Sequence, residues 1–559
     1  MNRLSLIFLT ALYLLAACKP TPPPTRILSA SEYEDKLKAA WIGQMVGVGR
    51  GAVTEFKWIG ELIPEEKIPA WEPEMVNQYG QDDLYVEMTF MENMQKHGID
   101  VNIRQAGIDF ANSAYGLACA NDRGRENLRE GIAPPASSHP HYNVNCEDID
   151  YQIEADYAGI IAPGMPQVPI YLGEKFGRLM NYGDGMYAGQ FVGGMYSAAY
   201  FETDIKKIID KGLECIPDSS AYSACMRDVI GWYNDNPNDW KGTWKKIVDK
   251  YYNTLDHQPY HKATPKAWAG VSAKLNGAFI VLGLLYGHGD IDSTFCISVA
   301  SGFDSDCNPS SALGILFASK GLENIPSTYY SALDTTQKFS HTNYTFPELL
   351  NVSKQLMLQF LKKEGGKVEK GSDDQEYFII PVKKPIPSQL EQSWAPLPLD
   401  TATARFTETE MSQIEYLPSK ALNNALQKFA PGWMISNSTK KTAIPELVSF
   451  LNRDNVLQMT YGENEGATIR YELMVPDKGS PELKLDVAND PGKTWKLTIR
   501  FSWQPVYEAE INDALTKKDW HKITRSLSEY KGKKLFIHIE GSKGTREESK
   551  VYISNLIIK

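Results

Sequence analysis

The sequence predicts a multidomain chain, with an all-α helical domain followed by an all-β antiparallel sandwich. Three observations lead there. At 559 residues the chain exceeds what one hydrophobic core usually serves. From about residue 30 to 365 the apolar residues recur at helical spacing. From about residue 401 the period falls to two, as in half-buried strands.

The N-terminus reads as targeting rather than fold. Arg3 supplies the positive region, "LSLIFLTALYLLAA" the apolar stretch, and "LAAC" ends on Cys18. Residues 1–18 resemble a bacterial lipoprotein signal, which implies lipidation of Cys18 after cleavage. A plain cleaved signal is the alternative. The resemblance places the protein in the bacterial cell envelope, on its periplasmic or outer-surface face. Membrane contact would run through the N-terminal lipid only, since no later apolar run approaches a spanning length. Residues 19–30 open with "KPTPPPT", a stiff tether.

Residues 31–365 form the helical domain. "SASEYEDKLKAAWIGQMVG" carries Ser31 and Glu34 at capping-box spacing, and Leu37, Trp41 and Met45 share one helix face. "YAGQFVGGMYSAAYFE" and "LNGAFIVLGLLYG" are apolar throughout and rich in small residues, which predicts buried helices approached closely by neighbours. Residues 366–400, dominated by Gly, Lys, Asp and Pro, read as a connector. Residues 401–559 form the sandwich. Ile469, Tyr471, Leu473 and Val475 alternate with other residues, as do Leu483, Leu485 and Val487, and Leu535, Ile537 and Ile539. "DWHKITRSLSEYKGKKLFIHIEG" and "VYISNLIIK" resemble jelly-roll modules of the galactose-binding type. Such modules often accompany glycosidases; a purely structural role is the alternative.

The formal net charge of −11 argues against nucleic acid as a partner. Beyond Cys18 there are six cysteines, and export would permit disulfides. Cys215 and Cys225 are the pair nearest in sequence. No CxxC occurs, which removes zinc-ribbon and thioredoxin-type motifs. His257 and His261 are four apart, but Pro259 spoils the regular helix that paired zinc ligands need. His139 and His141 lie in a Pro-rich loop and read as structural or surface residues. "GVGRGA" imitates a dinucleotide loop, but a helical period rather than a strand precedes it.

The chemistry is carried by two acidic runs. Asp82 and Asp83 stand in "YGQDDLYVEM", and Asp304 and Asp306 in "ASGFDSDCNPSSALGILFASKG". Both are set among glycine, small and apolar residues. Carboxylates gathered there repel by roughly 4 kcal/mol per pair at about 4 Å and an effective dielectric near 20. A hard divalent cation with oxygen ligands removes that cost. The two runs therefore read as halves of one Mg²⁺- or Ca²⁺-type site. Asn308 followed by Pro309 predicts a helix start, with Asp304 and Asp306 in the loop that feeds it.

Three motifs in this order resemble the ADP-ribosylglycohydrolase superfamily, including dinitrogenase reductase-activating glycohydrolase. They are "WIGQMVGVGRGAVTEF", closing on Glu55, then "GQDDL", then "GFDSDCN" followed by a small-residue helix. The resemblance covers roughly residues 30–330. It implies an orthogonal helical bundle with Mg²⁺, one or two ions, held by Asp82, Asp83, Asp304 and Asp306. Where the family has threonine ligands, this chain has Gln81 and Cys307. Gln81 still offers a carbonyl oxygen, whereas sulfur matches Mg²⁺ poorly. The resemblance also implies catalytic roles for Glu55, as the group polarising water or sugar, and for Asp304. It marks Asn181, Gly183, Asp184 and Gly185 of "LMNYGDGMYAGQF" as a substrate loop; Asp184 as a helix cap is the alternative. Glu154 and Asp156 adjoin another turn and receive no role. The expected activity is that of an exported, metal-dependent glycosidase acting on an extracytoplasmic glycan or glycoside. The alternatives are a true ADP-ribosyl hydrolase releasing ADP-ribose from conjugates, and a non-catalytic sugar-binding surface lipoprotein.

Overall fold

A computed structural model describes residues 24–253, 270–435, 440–461, 466–502 and 504–559. Cys18, the start of the tether, His257 and His261 lie outside them. The chain divides into two compact units. One comprises residues up to 102 together with 138–398. The other comprises 103–137 together with 399–559. The first is helical and the second is built on an antiparallel β-sandwich, as the sequence predicts.

In the first unit the site-bearing helices are α1 (Ala30–Gly51) and α2 (Asp82–His97). Two short helices of the second unit follow, α3 (Ile103–Ala111) and α4 (Cys119–Arg129). The first unit resumes with α5 (Asp156–Ile160), α6 (Asp184–Ala199), α7 (Ala221–Asp235), α8 (Ala273–Tyr286), α9 (Ile291–Ala300) and α10 (Cys307–Lys320). Helices α6 and α8 are buried along their whole length, as two glycine- and alanine-rich apolar runs should be. Among the described residues no helix is long and apolar enough to cross a membrane.

Two helix starts differ from expectation. Ser29, not Ser31, caps α1, accepting a hydrogen bond from the Glu32 amide at 3.1 Å. The strand β1 (Thr25–Ser29) runs straight into the helix and leaves Ser29 in the extended conformation a cap requires. Helix α10 begins at Cys307, so Asn308 and Pro309 lie in its first turn. A first-turn amide has no helical partner, so proline fits there without losing a bond.

Residues 366–400 were expected as a bare connector, yet they carry β2 (Lys367–Lys370) and β3 (Glu376–Pro381). These strands form a three-stranded sheet with β1, in the order β1-β3-β2. The expected Cys215–Cys225 pair is not formed; none of the six described cysteines is in a disulfide. The Cys215 thiol donates to the Pro166 and Lys211 carbonyls, and the Cys225 thiol to that of Lys274.

In the second unit the described residues form β4 (Met434–Ile435), β5 (Glu446–Phe450), β6 (Arg453–Met459), β7 (Ala467–Met474), β8 (Glu482–Ala488), β9 (Trp495–Phe501), β10 (Gln504–Ile511), β11 (His521–Ser526), β12 (Lys534–Lys543) and β13 (Val551–Ile558). They form two five-stranded antiparallel sheets, β10-β9-β12-β7-β4 and β11-β8-β13-β6-β5. The alternating residues read from sequence point inward: Ile469, Leu483, Leu485, Val487, Leu535, Ile537 and Ile539 all join one buried core with Trp495. Residues 103–137 are tied to this unit's own chain. Arg104 forms an ion pair with Glu410 at 2.6 Å, and Ile132 bridges Arg405. Nothing in the local sequence of 103–137 marks it as an insertion, because α3 and α4 have the same helical period as their neighbours.

Candidate active site

The acid cluster is assembled by the close packing of α1 on α10. Gly43, Gly47 and Gly51 recur every four residues on one face of α1. A Cβ on them would lie 2.6 Å from the Leu313 carbonyl oxygen, 2.4 Å from that of Pro309, and 2.3 Å from that of Ser305. The helices run antiparallel, backbone against backbone, with only hydrogen atoms between them. This is the physical meaning of "GVGRGA": it is a packing stripe and not a phosphate loop. It brings the C-terminus of α1 to the N-terminus of α10, and so Glu55 to Asp304 and Asp306.

The turn after α1 then pairs with the loop before α10. The Thr54 hydroxyl lies 2.7 Å from that of Ser305. The Phe56 amide donates to the Phe303 carbonyl at 2.9 Å, and the Phe303 amide to that of Trp58 at 2.8 Å. Glu55 lies between Thr54 and Phe56, and Asp304 between Phe303 and Ser305, so the two acids face each other by register. Phe56 and Phe303 both have positive φ, of 49° and 60°. Such a conformation costs a bulky residue of order 1–3 kcal/mol, and strain of this kind collects at functional sites. Gly302, at φ 72°, lets the loop pass under the Trp58 carbonyl, 2.5 Å from where a Cβ would stand.

Helix α2 supplies the other run, with Gln81 at its N-cap and Asp82 and Asp83 in its first turn. Neither Gln81 nor Asp306, the residue capping α10, uses its side chain as a cap. Asp306 thus keeps its carboxylate for the cluster. Asp83, Asp304, Asp306 and Cys307 are almost fully buried, at 2, 1, 3 and 6% exposure, whereas Glu55 and Asp82 open to solvent.

Burial dominates the electrostatics. It pushes Asp304 up to about 7, aided by Glu55 and Asp82 and opposed by Asp306 and Cys307, which approach without reaching hydrogen-bond geometry. Burial holds Asp83, Asp306 and the Cys307 thiol well above their usual ranges, with each neighbour's charge adding to the rise. Glu55 keeps solvent contact, yet the protein around it removes enough water to push its carboxyl up to about 7. Asp306 and Asp82 add to that rise and Lys57 opposes it. Asp82 is raised for the same reason, against the amides of Asp82 and Asp83.

The donor set fits a divalent cation. Two groups, Glu55 with Asp304 and Asp306, and Asp83 with Asp306 and Cys307, each bring one ligand atom per residue within 4.8 Å of one another. Asp306 belongs to both. Asp83 Oδ2 and both Asp304 oxygens are buried with no hydrogen-bond partner. Among the described residues none of the four aspartates pairs with a lysine or arginine. Buried oxygens without donors, gathered without a basic residue, are the arrangement a cation completes.

The four residues expected as a substrate loop are anchored within the fold. Asn181 donates to the carbonyls of Cys146 and Asp148 and accepts from the Tyr151 amide. Asp184 accepts from the Tyr222 amide at 3.0 Å and pairs with Lys274 at 2.9 Å. Gly183 has a φ of 54°, and a Cβ on Gly185 would lie 2.4 Å from the Cys146 carbonyl oxygen. These four residues are buried and bonded to the fold itself. His139 likewise bonds the Leu397 carbonyl.

Two further acids adjoin the cluster: Glu87, which the sequence did not mark, and Asp156, to which it gave no role. Glu87, one turn after Asp83 on α2, accepts from the Tyr157 amide at 2.7 Å. Asp156 accepts from the Tyr196 hydroxyl at 2.9 Å and meets Ser311, one turn after Cys307. The four-residue spacing from each candidate ligand was the available signal.

A family model described as ADP-ribosylglycohydrolase matches residues 29–362. The chain belongs to the ADP-ribosylglycohydrolase family. Membership gives the coarse class, a hydrolase of the glycohydrolase type. Among solved structures, one titled "ADP-ribosylglycohydrolase-related protein complex" is 14% identical, with a TM-score of 0.36, over 59% of this chain and 98% of that one. Another, titled "CBM4 structure and function", is 9% identical, with a TM-score of 0.15, over 21% of this chain and 79% of that one. No curated protein matches. Within this ADP-ribosylglycohydrolase domain, Glu55, Asp83, Asp304, Asp306 and Cys307 are residues that converge.

Proposed function

We propose that the protein is a metal-dependent glycosidase, exported and held at the envelope through Cys18, that hydrolyses a glycosidic bond in an extracytoplasmic glycan or glycoside. The observation that carries this reading is the register holding Glu55 opposite Asp304 at the open edge of a buried acid cluster. A divalent cation bound there would neutralise the acids and grip substrate hydroxyls as a Lewis acid. Asp83, Asp304, Asp306 and the solvent-facing Asp82 would hold it, with Cys307 and the Gln81 carbonyl as further donors. Glu55 is open to solvent and poised near neutrality. A carboxyl in that condition takes a proton from attacking water or returns one to the leaving group. Glycosidic cleavage through an oxocarbenium-like state needs such a group beside the bond. Asp304 fixes the geometry that Glu55 works against.

The family match favours a second reading, release of ADP-ribose from conjugates. One experiment separates them: the purified chain, with MgCl2 or with EDTA, is given a glycoside panel, ADP-ribosyl-arginine and ADP-ribosyl-serine. Magnesium-dependent sugar release supports the glycosidase. ADP-ribose release supports the alternative. No turnover of either class by protein that binds metal removes the enzymatic reading.

A further inference from the structure

The two donor groups sharing Asp306 are chemically unlike. Glu55, Asp304 and Asp306 offer oxygen only. Asp83, Asp306 and Cys307 offer two oxygens and a sulfur. In the second group the Cys307 sulfur lies 3.0 Å from Asp83 Oδ1 and 3.7 Å from Asp306 Oδ1. A tetrahedral zinc with Zn–S near 2.3 Å and Zn–O near 2.0 Å sets its sulfur and oxygen donors about 3.5 Å apart. The observed separations bracket that value. Asp83 Oδ2, buried beside them, has no partner and remains as a further donor.

We propose that the two halves of the centre take different cations: Zn²⁺ or a similarly thiophilic divalent ion on Asp83, Asp306 and Cys307, and a hard ion such as Mg²⁺ on Asp304 and Asp306, with Glu55 beside it left free to carry a proton. The proposal rests on reading the cluster as a metal centre. Its reason is the character of the sulfur. Mg²⁺ is hard, dehydrates reluctantly and demands oxygen, whereas a thiolate selects Zn²⁺ among the biological divalent ions. Binding displaces one proton from the Cys307 thiol to solvent and forms one S–Zn bond, with no change of oxidation state. Asp306 belongs to both groups and would be the ligand they share.

The test reads binding rather than turnover. The full chain is freed of metal and dialysed against equal Zn²⁺ and Mg²⁺, and the metal retained per chain is measured by mass spectrometry. In parallel it is loaded with Co²⁺, and the near-ultraviolet thiolate-to-cobalt charge-transfer band is recorded. Wild type is expected to keep one zinc per chain and to show the band. Cys307→Thr and Cys307→Ser are expected to lose the band and to bind zinc at least tenfold more weakly. Two variants are used so that a folding defect in one does not decide the matter. A wild type without the band, or variants that hold zinc as tightly as wild type, would overturn the proposal. A chain that shows the band but hydrolyses nothing would instead overturn the hydrolase reading alone.

Discussion

Replacing Gly47 by alanine sets two effects of opposite sign against each other. Alanine in a helix interior is favoured over glycine by about 1 kcal/mol. At this position, however, the added Cβ would lie 2.4 Å from both the Pro309 carbonyl oxygen and the Ser310 amide nitrogen. Ordinary contact begins at about 3.4 Å, so α1 and α10 must separate by about 1 Å. The obstructing atoms are backbone and no side chain can swing away. Overpacking of this kind costs roughly 1–3 kcal/mol, so the net change is a loss of up to roughly 2 kcal/mol. The larger consequence falls on the site, because Glu55 stands in the turn that leaves α1 and Asp306 is the residue that caps α10. A displacement of about 1 Å in a catalytic group costs roughly a hundredfold in rate. The matched control is Gly231→Ala on α7, exposed, with nothing within 4 Å of the new Cβ, where the propensity gain of about 1 kcal/mol should stand alone. Urea denaturation of both variants, with metal affinity and turnover for Gly47→Ala, supplies the comparison. If Gly47→Ala gains stability as Gly231→Ala does and keeps full metal affinity and activity, the glycine stripe does not position the site.

Asp304→Asn should abolish turnover and weaken metal binding at least tenfold while leaving the metal-free fold as stable or more stable, since it removes a buried acid from a repelling cluster; calorimetric titration and thermal melts report both. The metal-free protein should lose stability as pH rises from about 4 to about 7. Asp304 and Glu55 carry folded values near 7 against ordinary values of 3.8 and 4.5, so the folded state binds more protons in that window. A divalent cation should restore stability most at the upper end, and melts that improve with pH in the absence of metal would contradict this. Deleting residues 399–559 should leave 103–137 without Glu410 and Arg405 and therefore open to protease, while Asp83, Asp304 and Asp306 keep their mutual arrangement. Limited proteolysis with peptide mapping checks the first point, and metal binding by the truncated chain the second.

Much of this protein follows from local pattern. Periods of 3.6 and 2 separate the helical domain from the sandwich, and the inward residues of β7, β8 and β12 are legible because each strand alternates on its own. The acidic runs are conspicuous for the same reason: Asp82, Asp83, Asp304 and Asp306 stand in apolar, glycine-rich surroundings where unpaired charge is costly. What remained hidden depends on contacts distant in sequence. The membership of 103–137 in the second unit rests on partners some 270 to 310 residues away. The burial of Asn181 and Asp184 rests on Cys146, Tyr222 and Lys274, and the layer of Glu87 and Asp156 rests on Tyr157, Tyr196 and Ser311. Even the function of Gly43, Gly47 and Gly51 is invisible until α10 lies against them.

By itself the order of amino acids determined which carboxylates were available and that they needed a counter-charge. Tertiary packing alone decided that they meet, which of them keep water, and that sulfur joins one group and not the other. Residue type and short-range periodicity are properties of the chain, whereas a shared cavity is a property of surfaces brought together across hundreds of residues by the burial of everything around them.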